Sequence, residues 1–226
     1  MTSTRHDLRF NAQPLVLTFL QLFTQNLSLF AKLFLDNKSV FFDVSSFNYY
    51  LLVQEPSPSS SDHPQIVGFF SKEKMSWDNN NLACILVFPP WQRQGLGKIL
   101  MGISYELSKR ERNVGGPEKP LSELGRKGYL KFWEARVGIA ILGVRNKSTL
   151  TVQEIADLCY MVRDDVMIAL KEMGLLEPRK KGAAMLISKS RVRQWASVNG
   201  IDLTPPVEEA CFLDNWVPEV RDDTSV

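Results

Sequence analysis

The 226-residue sequence is poor in the side chains that build disulfide frameworks and zinc sites. It holds three cysteines, Cys84, Cys159 and Cys211, and two histidines, His6 and His63. An odd, widely spaced set of cysteines does not form a disulfide framework and is typical of a reducing compartment. No Cys-x-x-Cys pair is present, and tetrahedral zinc sites commonly start from one. The sequence therefore predicts neither a disulfide-stapled fold nor a metal site.

Long apolar runs and an excess of one charge are also missing. The apolar stretch at residues 14–23 has about 10 residues, whereas a membrane-spanning helix needs about 20. No small-residue cleavage pattern follows this stretch, which argues against a signal peptide. The 27 basic and 25 acidic residues nearly cancel, so the whole chain has no charge-based affinity for nucleic acid or membrane. An acidic ligand must therefore bind at a local site, and we expect no membrane partner.

Short strand and helix patterns alternate between residues 25 and 143, which indicates an α+β domain. Strands are predicted at 39–44, 47–54, 66–71 and 82–88, and helices at 27–35, 98–110 and 128–142. Residues 55–64 are rich in proline and serine and predict a hairpin loop. Residues 1–24 show no clear period, and we treat them as an atypical leader.

From residue 144 the pattern changes to short helices. Thr151-x-x-Glu154 has the form of a capping box, and Gly174 is placed to end a second helix. A basic turn, a short strand and a last helix follow, and this order resembles a winged helix. We therefore divide the chain into a leader (1–24), a core (25–143) and a C-terminal lobe with an irregular tail (144–226).

The most informative segment is residues 82–98, LACILVFPPWQRQGLGK. A buried strand runs through a glycine turn directly into a helix, where backbone N–H groups and the positive helix end favour an anion. The spacing is not a Walker loop, and it lacks the three glycines of the dinucleotide fingerprint. It matches the Gln/Arg-x-x-Gly-x-Gly coenzyme A pattern of GNAT-like acetyltransferases, although a merely tight turn is the alternative. The pyrophosphate nest would comprise Arg93, Gln94, Gly95, Leu96, Gly97 and Lys98.

Four blocks resemble, in order, the core of the MYST lysine acetyltransferases: SLFAKLFLDNKSVFFDV, IVGFFSKEKMSWDNNNLACIL, PPWQRQGLGKILMGISYELSKRE and GGPEKPLSELG. The resemblance is close over residues 25–142 and looser beyond. It implies a GNAT-like acetyl-CoA-binding mixed sheet with helices, followed by a winged-helix-like C-terminal lobe. It also implies acetyl-CoA as cosubstrate, a histone tail as substrate, subunits of a chromatin complex as partners, and the nucleus as location.

The resemblance places the family's catalytic glutamate on Glu118 and its active-site cysteine on Cys84. A lysine amine must lose a proton before it can attack a thioester, and a carboxylate can accept that proton. Outside this motif, Glu118 would be interpreted as a solvated loop residue. Cys84 has two possible roles: its thiolate could carry the acetyl group covalently, or it could pack beside acetyl-CoA while the amine attacks directly.

Further contacts are implied on the coenzyme. The backbone of Ile85 and Val87 would address the pantetheine arm and the thioester oxygen, and Ser122 would lie near the coenzyme sulfur. Lys38 corresponds to the lysine that the family acetylates on itself, with a plain surface lysine as the alternative. The family often has threonine where this chain has Val87, a change of little effect if the contact is through the backbone.

Two features suggest alternatives to an active enzyme. Family members usually begin with a zinc-binding finger and several strands, which residues 1–24 do not supply, so the chain resembles a fragment with an exposed sheet edge and apolar surface. A catalytically impaired scaffold is therefore an alternative. Residues 179–193 hold six basic residues and no acid, so a nucleic-acid-binding module is another, although we do not expect direct DNA binding.

Overall fold

The computed structural model describes residues 17–35, 44–56, 63–176 and 185–212, with side chains from residue 21 onward except that of Cys211. These residues form a mixed α+β structure, which confirms the predicted class. The helices are α1 Leu17–Ala31, α2 Leu96–Arg110, α3 Glu123–Gly143, α4 Val152–Cys159, α5 Arg163–Glu172 and α6 Lys189–Asn199. The strands are β1 Phe47–Gln54, β2 Gln65–Glu73, β3 Asn80–Leu82, β4 Cys84–Val87, β5 Gly116–Pro117, β6 Thr149–Thr151 and β7 Leu186–Ser188. Within the described ranges, no helix is long and apolar enough to cross a membrane.

The chain divides into two compact units. The first comprises Met1–Leu100 with Glu209–Val226, and the second comprises Met101–Glu208.

In the first unit, an antiparallel sheet of order β1-β2-β4 packs against α1. Alternation along the strands places one set of apolar side chains on the face that α1 covers. The buried members of this core are Leu27, Ala31, Phe69, Leu86 and Phe88. Large apolar side chains on α1 and in the turn that follows it remain in solvent, with Leu29 49% and Leu33 73% exposed.

In the second unit, α3 lies against α4, α5 and α6. Its buried Trp133 donates from Nε1 to the hydroxyl of Tyr105 at 2.8 Å. Arg136 covers the Tyr105 ring at 5.0 Å and donates from Nε to the carbonyl oxygen of Cys159 at 2.9 Å. Strands β6 and β7 form an antiparallel pair between α3 and α6 in the chain. These contacts bury an aromatic core that is separate from the α1–sheet core.

Several sequence predictions for local structure are confirmed. Strand β1 covers the predicted residues 47–54. Thr151 and Glu154 form the capping box of α4, with both reciprocal hydrogen bonds present. Gly174 has a φ of 67° directly after the C-cap of α5, as a helix-ending glycine requires.

Other boundaries differ from the predictions. Helix α1 begins at Leu17 rather than at residue 27. Helix α3 begins at Glu123 rather than at residue 128, because Ser122 caps it. The continuous strand predicted at 82–88 is instead two strands, β3 and β4. Ala83 lies between them, and its N–H donates to the carbonyl oxygen of Ser71 on β2. The predicted strand at 39–44 lies, apart from its last residue, outside the described residues, and so does the basic turn at 179–182.

Candidate functional site

Strand β4 turns the backbone groups of Ile85 and Val87 away from its neighbour β2. The N–H of Phe88 donates to the carbonyl oxygen of Val67 at 3.0 Å, in the same register as the β2–β4 ladder. Hydrogen-bonded positions alternate along an antiparallel pair, so Ile85 and Val87 direct their N–H and C=O groups to the opposite edge. In the described sheet this is the outer edge of β4. These two amides are therefore directed where an extended ligand could bind alongside the strand.

Two side chains fix the end of this strand. Gln92 donates from Nε2 to the carbonyl oxygen of Val87 at 2.9 Å, which agrees with the direction derived from the register. Trp91 donates from Nε1 to Oε1 of Gln54, the last residue of β1, at 3.0 Å. Neither Trp91 nor Gln92 was predicted as a site residue; their position between Pro89-Pro90 and the glycine turn was the only signal.

The turn from β4 to α2 contains two residues in the left-handed region, Arg93 with φ 61° and Gly95 with φ 83°. A side chain at positive φ is strained by about 1 kcal/mol or more, so glycine suits position 95 and Arg93 stores strain. Gly97 lies instead in the first turn of α2. A Cβ added at Gly95 or Gly97 would meet no atom of the described residues within 4 Å. Packing within the protein therefore does not require glycine at Gly97, where it costs about 1 kcal/mol relative to alanine.

The chemistry of this turn suits an anion. The side chains of Arg93 and Lys98 are exposed beside the turn, and α2 starts there with its positive dipole end. The turn leaves open space over both glycines, which allows a ligand to approach the backbone closely. Of the six predicted pyrophosphate contacts, Gln94 is exposed and Leu96 is half-buried.

Cys84 is the first residue of β4 rather than the middle of a longer strand, and it is half-buried. It lies opposite Ser71, which in turn lies opposite Tyr49 on β1. Burial raises the pKa of the Tyr49 hydroxyl, and nearby Cys84 raises it further. The second thiol, Cys159, is 1% exposed, and burial raises its pKa to about 12. The two cysteines therefore differ sharply in accessibility.

Glu118 lies in the loop between β5 and α3, with its side chain exposed. The residues before it, Gly116 and Pro117, are buried. Directly after it, Lys119 donates from Nζ to Oδ1 of Asp165 at 2.6 Å. The candidate base is thus exposed while both of its flanks are anchored.

Ser122 ends the same loop. Its Oγ accepts the N–H of Gly125 at 3.0 Å and so caps α3. The cap uses one acceptor position of the hydroxyl, and the hydroxyl proton is left to donate to another group. Glu123 in the first turn suits the same helix end.

Other predicted residues contribute differently. Lys38 lies outside the described residues. In the basic C-terminal segment, buried Lys189 donates to the carbonyl oxygen of Val144. Arg191 donates to the carbonyl oxygens of Gly174 and Leu175 at 3.2 and 3.4 Å. These two charges therefore bind the ends of neighbouring helical segments. In the part of the chain that the structure describes, no three His, Cys, Asp or Glu side chains group as a metal site would need.

Comparison with known proteins assigns the chain to a family. The family model described as MOZ/SAS matches residues 19–209. The chain therefore belongs to the MOZ/SAS family, which confirms the resemblance seen in the four sequence blocks.

Three relatives illustrate how much of each protein is shared. "Putative MYST-like histone acetyltransferase 1" of Oryza sativa subsp. japonica is 43% identical over 160 residues, which are 71% of this chain and 34% of the relative. "Histone acetyltransferase MOF" of Drosophila melanogaster is 43% identical over 157 residues, 69% of this chain and 18% of the relative. "Histone acetyltransferase Tip60 homolog" of Caenorhabditis elegans is 39% identical over 172 residues, 75% of this chain and 37% of the relative. The chain thus spans 18–37% of the length of these relatives.

Proposed function

We propose that the chain is a MYST-type lysine acetyltransferase that transfers the acetyl group of acetyl-CoA to a lysine of a histone tail. The observation that carries the proposal is the joint geometry of the outer edge of β4 and the turn that follows it. Two backbone amides point outward from the strand. Two glycines that packing among the described residues does not require lie at the N-terminal end of α2, beside two basic side chains. The printed names of the three relatives support the same activity.

This arrangement suits an extended ligand with an anionic end. The N–H groups of Ile85 and Val87 would bind the pantetheine arm and the thioester oxygen along the strand. An amide directed at that oxygen stabilises the charge that develops on it during acyl transfer. The turn at Gly95 and Gly97 would bind the pyrophosphate, with positive charge from Arg93 and Lys98.

Glu118 would act as the general base. Its carboxylate accepts a proton from the substrate ammonium, directly or through a water, and so releases the amine lone pair. That lone pair forms the new C–N bond at the thioester carbon, the C–S bond breaks, and the electron pair leaves with the coenzyme thiolate. The nitrogen then loses its extra proton, which protonates the thiolate, so the products are the amide and the free thiol of coenzyme A. We propose this direct route, with half-buried Cys84 packing beside the acetyl group. Transfer through a Cys84 thioester is the alternative.

The remaining assignments follow the family. We propose a GNAT-like acetyl-CoA-binding core over residues 25–143 and a winged-helix-like lobe over residues 144–226. The order β6, α4, α5, β7 and α6, with β6 and β7 paired, supports the second assignment. Because Lys189 and Arg191 already bind carbonyl groups of the lobe, a structural role for the winged helix is favoured over DNA binding. A histone tail, a chromatin complex and the nucleus are the corresponding substrate, partner and location, and Lys38 would be the self-acetylated lysine.

Calorimetric titration of the chain with acetyl-CoA tests the proposal. Gly97→Val should weaken binding by at least about tenfold, because the side chain fills the space that the phosphates need. Gly143→Val is the matched control: Gly143 is also a helical glycine with no protein atom near its added Cβ, at the far end of α3. The control should bind as the wild type does. Equal affinity in both variants would place the pyrophosphate elsewhere, and no binding by the wild type would refute the coenzyme site.

A further inference from the structure

The segment that joins α4 to α5 contacts the chain before Glu118, and α5 itself contacts the chain after Glu118. Before Glu118, the N–H of Gly115 donates to the carbonyl oxygen of Tyr160, and the N–H of Val162 donates to the carbonyl oxygen of Gly115, both at 3.3 Å. Both backbone hydrogen-bonding groups of Gly115 are therefore used by this one segment. Sequence pattern alone places these two regions about 45 residues apart, with no sign that they meet.

The carboxylate of Asp165 extends the same anchor across the loop. Asp165 is the third residue of α5 and is 0% exposed. Its Oδ1 accepts the Lys119 ammonium at 2.6 Å, and a Cβ added at Gly116 would lie 2.6 Å from its Oδ2. One buried carboxylate thus contacts the residue two positions before Glu118 and the residue one position after it.

Stability alone does not explain this pair. Burial raises the pKa of the Asp165 carboxyl and Lys119 opposes that rise, so ionising the carboxylate has a cost that the ion pair offsets. Oδ2 has no hydrogen-bond partner within the described residues, and an unsatisfied buried acceptor costs about 1–3 kcal/mol. Lys119 is 48% exposed, so solvent screens the ion pair and its net contribution to stability is small. The pair is better explained by the position that it imposes on the loop.

We propose that the Lys119–Asp165 ion pair holds the 115–121 loop in one position. On the function proposed above, Asp165 is then a positioning residue that aims the general base Glu118 without touching the substrate. Only the kinetic consequence depends on that function, because the anchoring of the loop is inferred from the contacts themselves.

The test uses the 226-residue chain with Asp165→Asn, Lys119→Met and the conservative Lys119→Arg. Two measurements are made. Steady-state kinetics of acetyl transfer to a histone-tail peptide give kcat and the KM for acetyl-CoA, and hydrogen exchange reports on the amides in residues 115–121. Lys127→Met is the matched control, because it removes an ion pair of similar length, Lys127 to Glu123 at 2.8 Å, that is exposed on both sides. Because Asp165 is buried and its variant could fail to fold, the half-exposed Lys119 carries the test independently.

We expect Lys119→Met and Asp165→Asn to lower kcat by at least about tenfold with KM for acetyl-CoA nearly unchanged, as for a loss confined to the transition state. Exchange in 115–121 should rise by at least about tenfold while α3 stays protected, and Lys119→Arg should restore both. Wild-type kcat and wild-type exchange in Lys119→Met would overturn the proposal. If the wild type transfers no acetyl, the proposed function fails. The exchange comparison then decides the anchor alone: faster exchange than in Lys127→Met supports it, and equal exchange overturns it.

Discussion

The side-chain amide of Gln92 donates a 2.9 Å hydrogen bond to the carbonyl oxygen of Val87. This bond joins the first residue of the glycine turn to the last residue of β4. It satisfies the carbonyl oxygen of Val87, which points to the outer edge of the strand. The N–H groups on that edge remain directed outward. The two halves of the candidate coenzyme site, strand edge and turn, are therefore connected by one side chain.

Removing this connection should loosen the site. Gln92→Leu should weaken acetyl-CoA binding about fivefold, because a typical hydrogen bond contributes about 1 kcal/mol. Titration calorimetry measures the change. Gln153→Leu is the control. The side-chain amide of Gln153 also donates an exposed hydrogen bond, to Oδ1 of Asp157 at 2.8 Å, but on a different helix. Equal affinity in both variants would show that Gln92 does not organise the turn.

The two described thiols should react differently. An alkylating agent should modify half-buried Cys84 in the native protein and leave Cys159 intact until the chain unfolds, because burial holds the pKa of Cys159 at about 12. Peptide mass mapping distinguishes the sites. Saturating acetyl-CoA should slow the modification of Cys84. Modification of Cys84 at the same rate with and without the coenzyme would place the acetyl group away from β4.

The capping box of α4 predicts a pH dependence. Hydrogen bonds from Lys147 first, and then from the backbone N–H and hydroxyl of Thr151, lower the pKa of Glu154 from 4.5 to about 2. A carboxylate with a depressed pKa in the folded state stabilises the fold above the unfolded value and loses that contribution as the pH falls. The contribution should therefore be complete above pH 4.5 and disappear towards pH 2.

Glu154→Gln tests this window. It removes the titration but keeps an oxygen for the Thr151 amide, so stability at neutral pH should fall and the further loss on acidification should be smaller. Acid titration of the unfolding midpoint is the measurement. Val198→Gln, which alters an exposed side chain without removing a carboxylate, is the control and should keep the wild-type slope. An unchanged slope in Glu154→Gln would assign the acid sensitivity to other groups.

The solvent side of α1 should promote association. Large apolar patches on a surface favour contact with other molecules. Leu29 on α1 and Leu33 in the turn that follows it are 49% and 73% exposed. The double variant Leu29→Gln, Leu33→Gln should remain monomeric at concentrations at which the wild type associates, as measured by light scattering. Val198→Gln alters an isolated apolar side chain of 77% exposure and should leave association unchanged. A wild-type chain that is monomeric at every concentration would contradict the prediction.

Local signals in the sequence were sufficient for part of the fold. Richness in aromatic and β-branched residues located β1, and cap chemistry located the start of α4 and the stop at Gly174. The start of α1 was missed because the helix has apolar residues on both faces, which removes the period. The break at Ala83 was missed because it depends on a hydrogen bond to Ser71 on another strand, and no local pattern shows such a contact.

The candidate site divides in the same way. The glycine turn could be predicted because glycine spacing after a strand is itself local. Of its two glycines, Gly95 lies in the left-handed region with a φ of 83°, whereas Gly97 lies in the first turn of α2. The contact of Lys119 with Asp165 joins residues 46 positions apart. Such a pair follows from the tertiary arrangement, so no local pattern singles out Asp165.

The proposed role of Glu118 is tested most directly by acetyl transfer from acetyl-CoA to a lysine of a histone-tail peptide, measured as kcat for the wild type and for Glu118→Gln. We predict transfer by the wild type and a kcat lowered by about 10²–10⁴-fold in the variant, the usual span for a lost general base. Acetyl-CoA affinity should stay nearly the same, because Glu118 is not among the proposed coenzyme contacts. A variant that matches the wild-type kcat at saturating acetyl-CoA across pH would contradict the account.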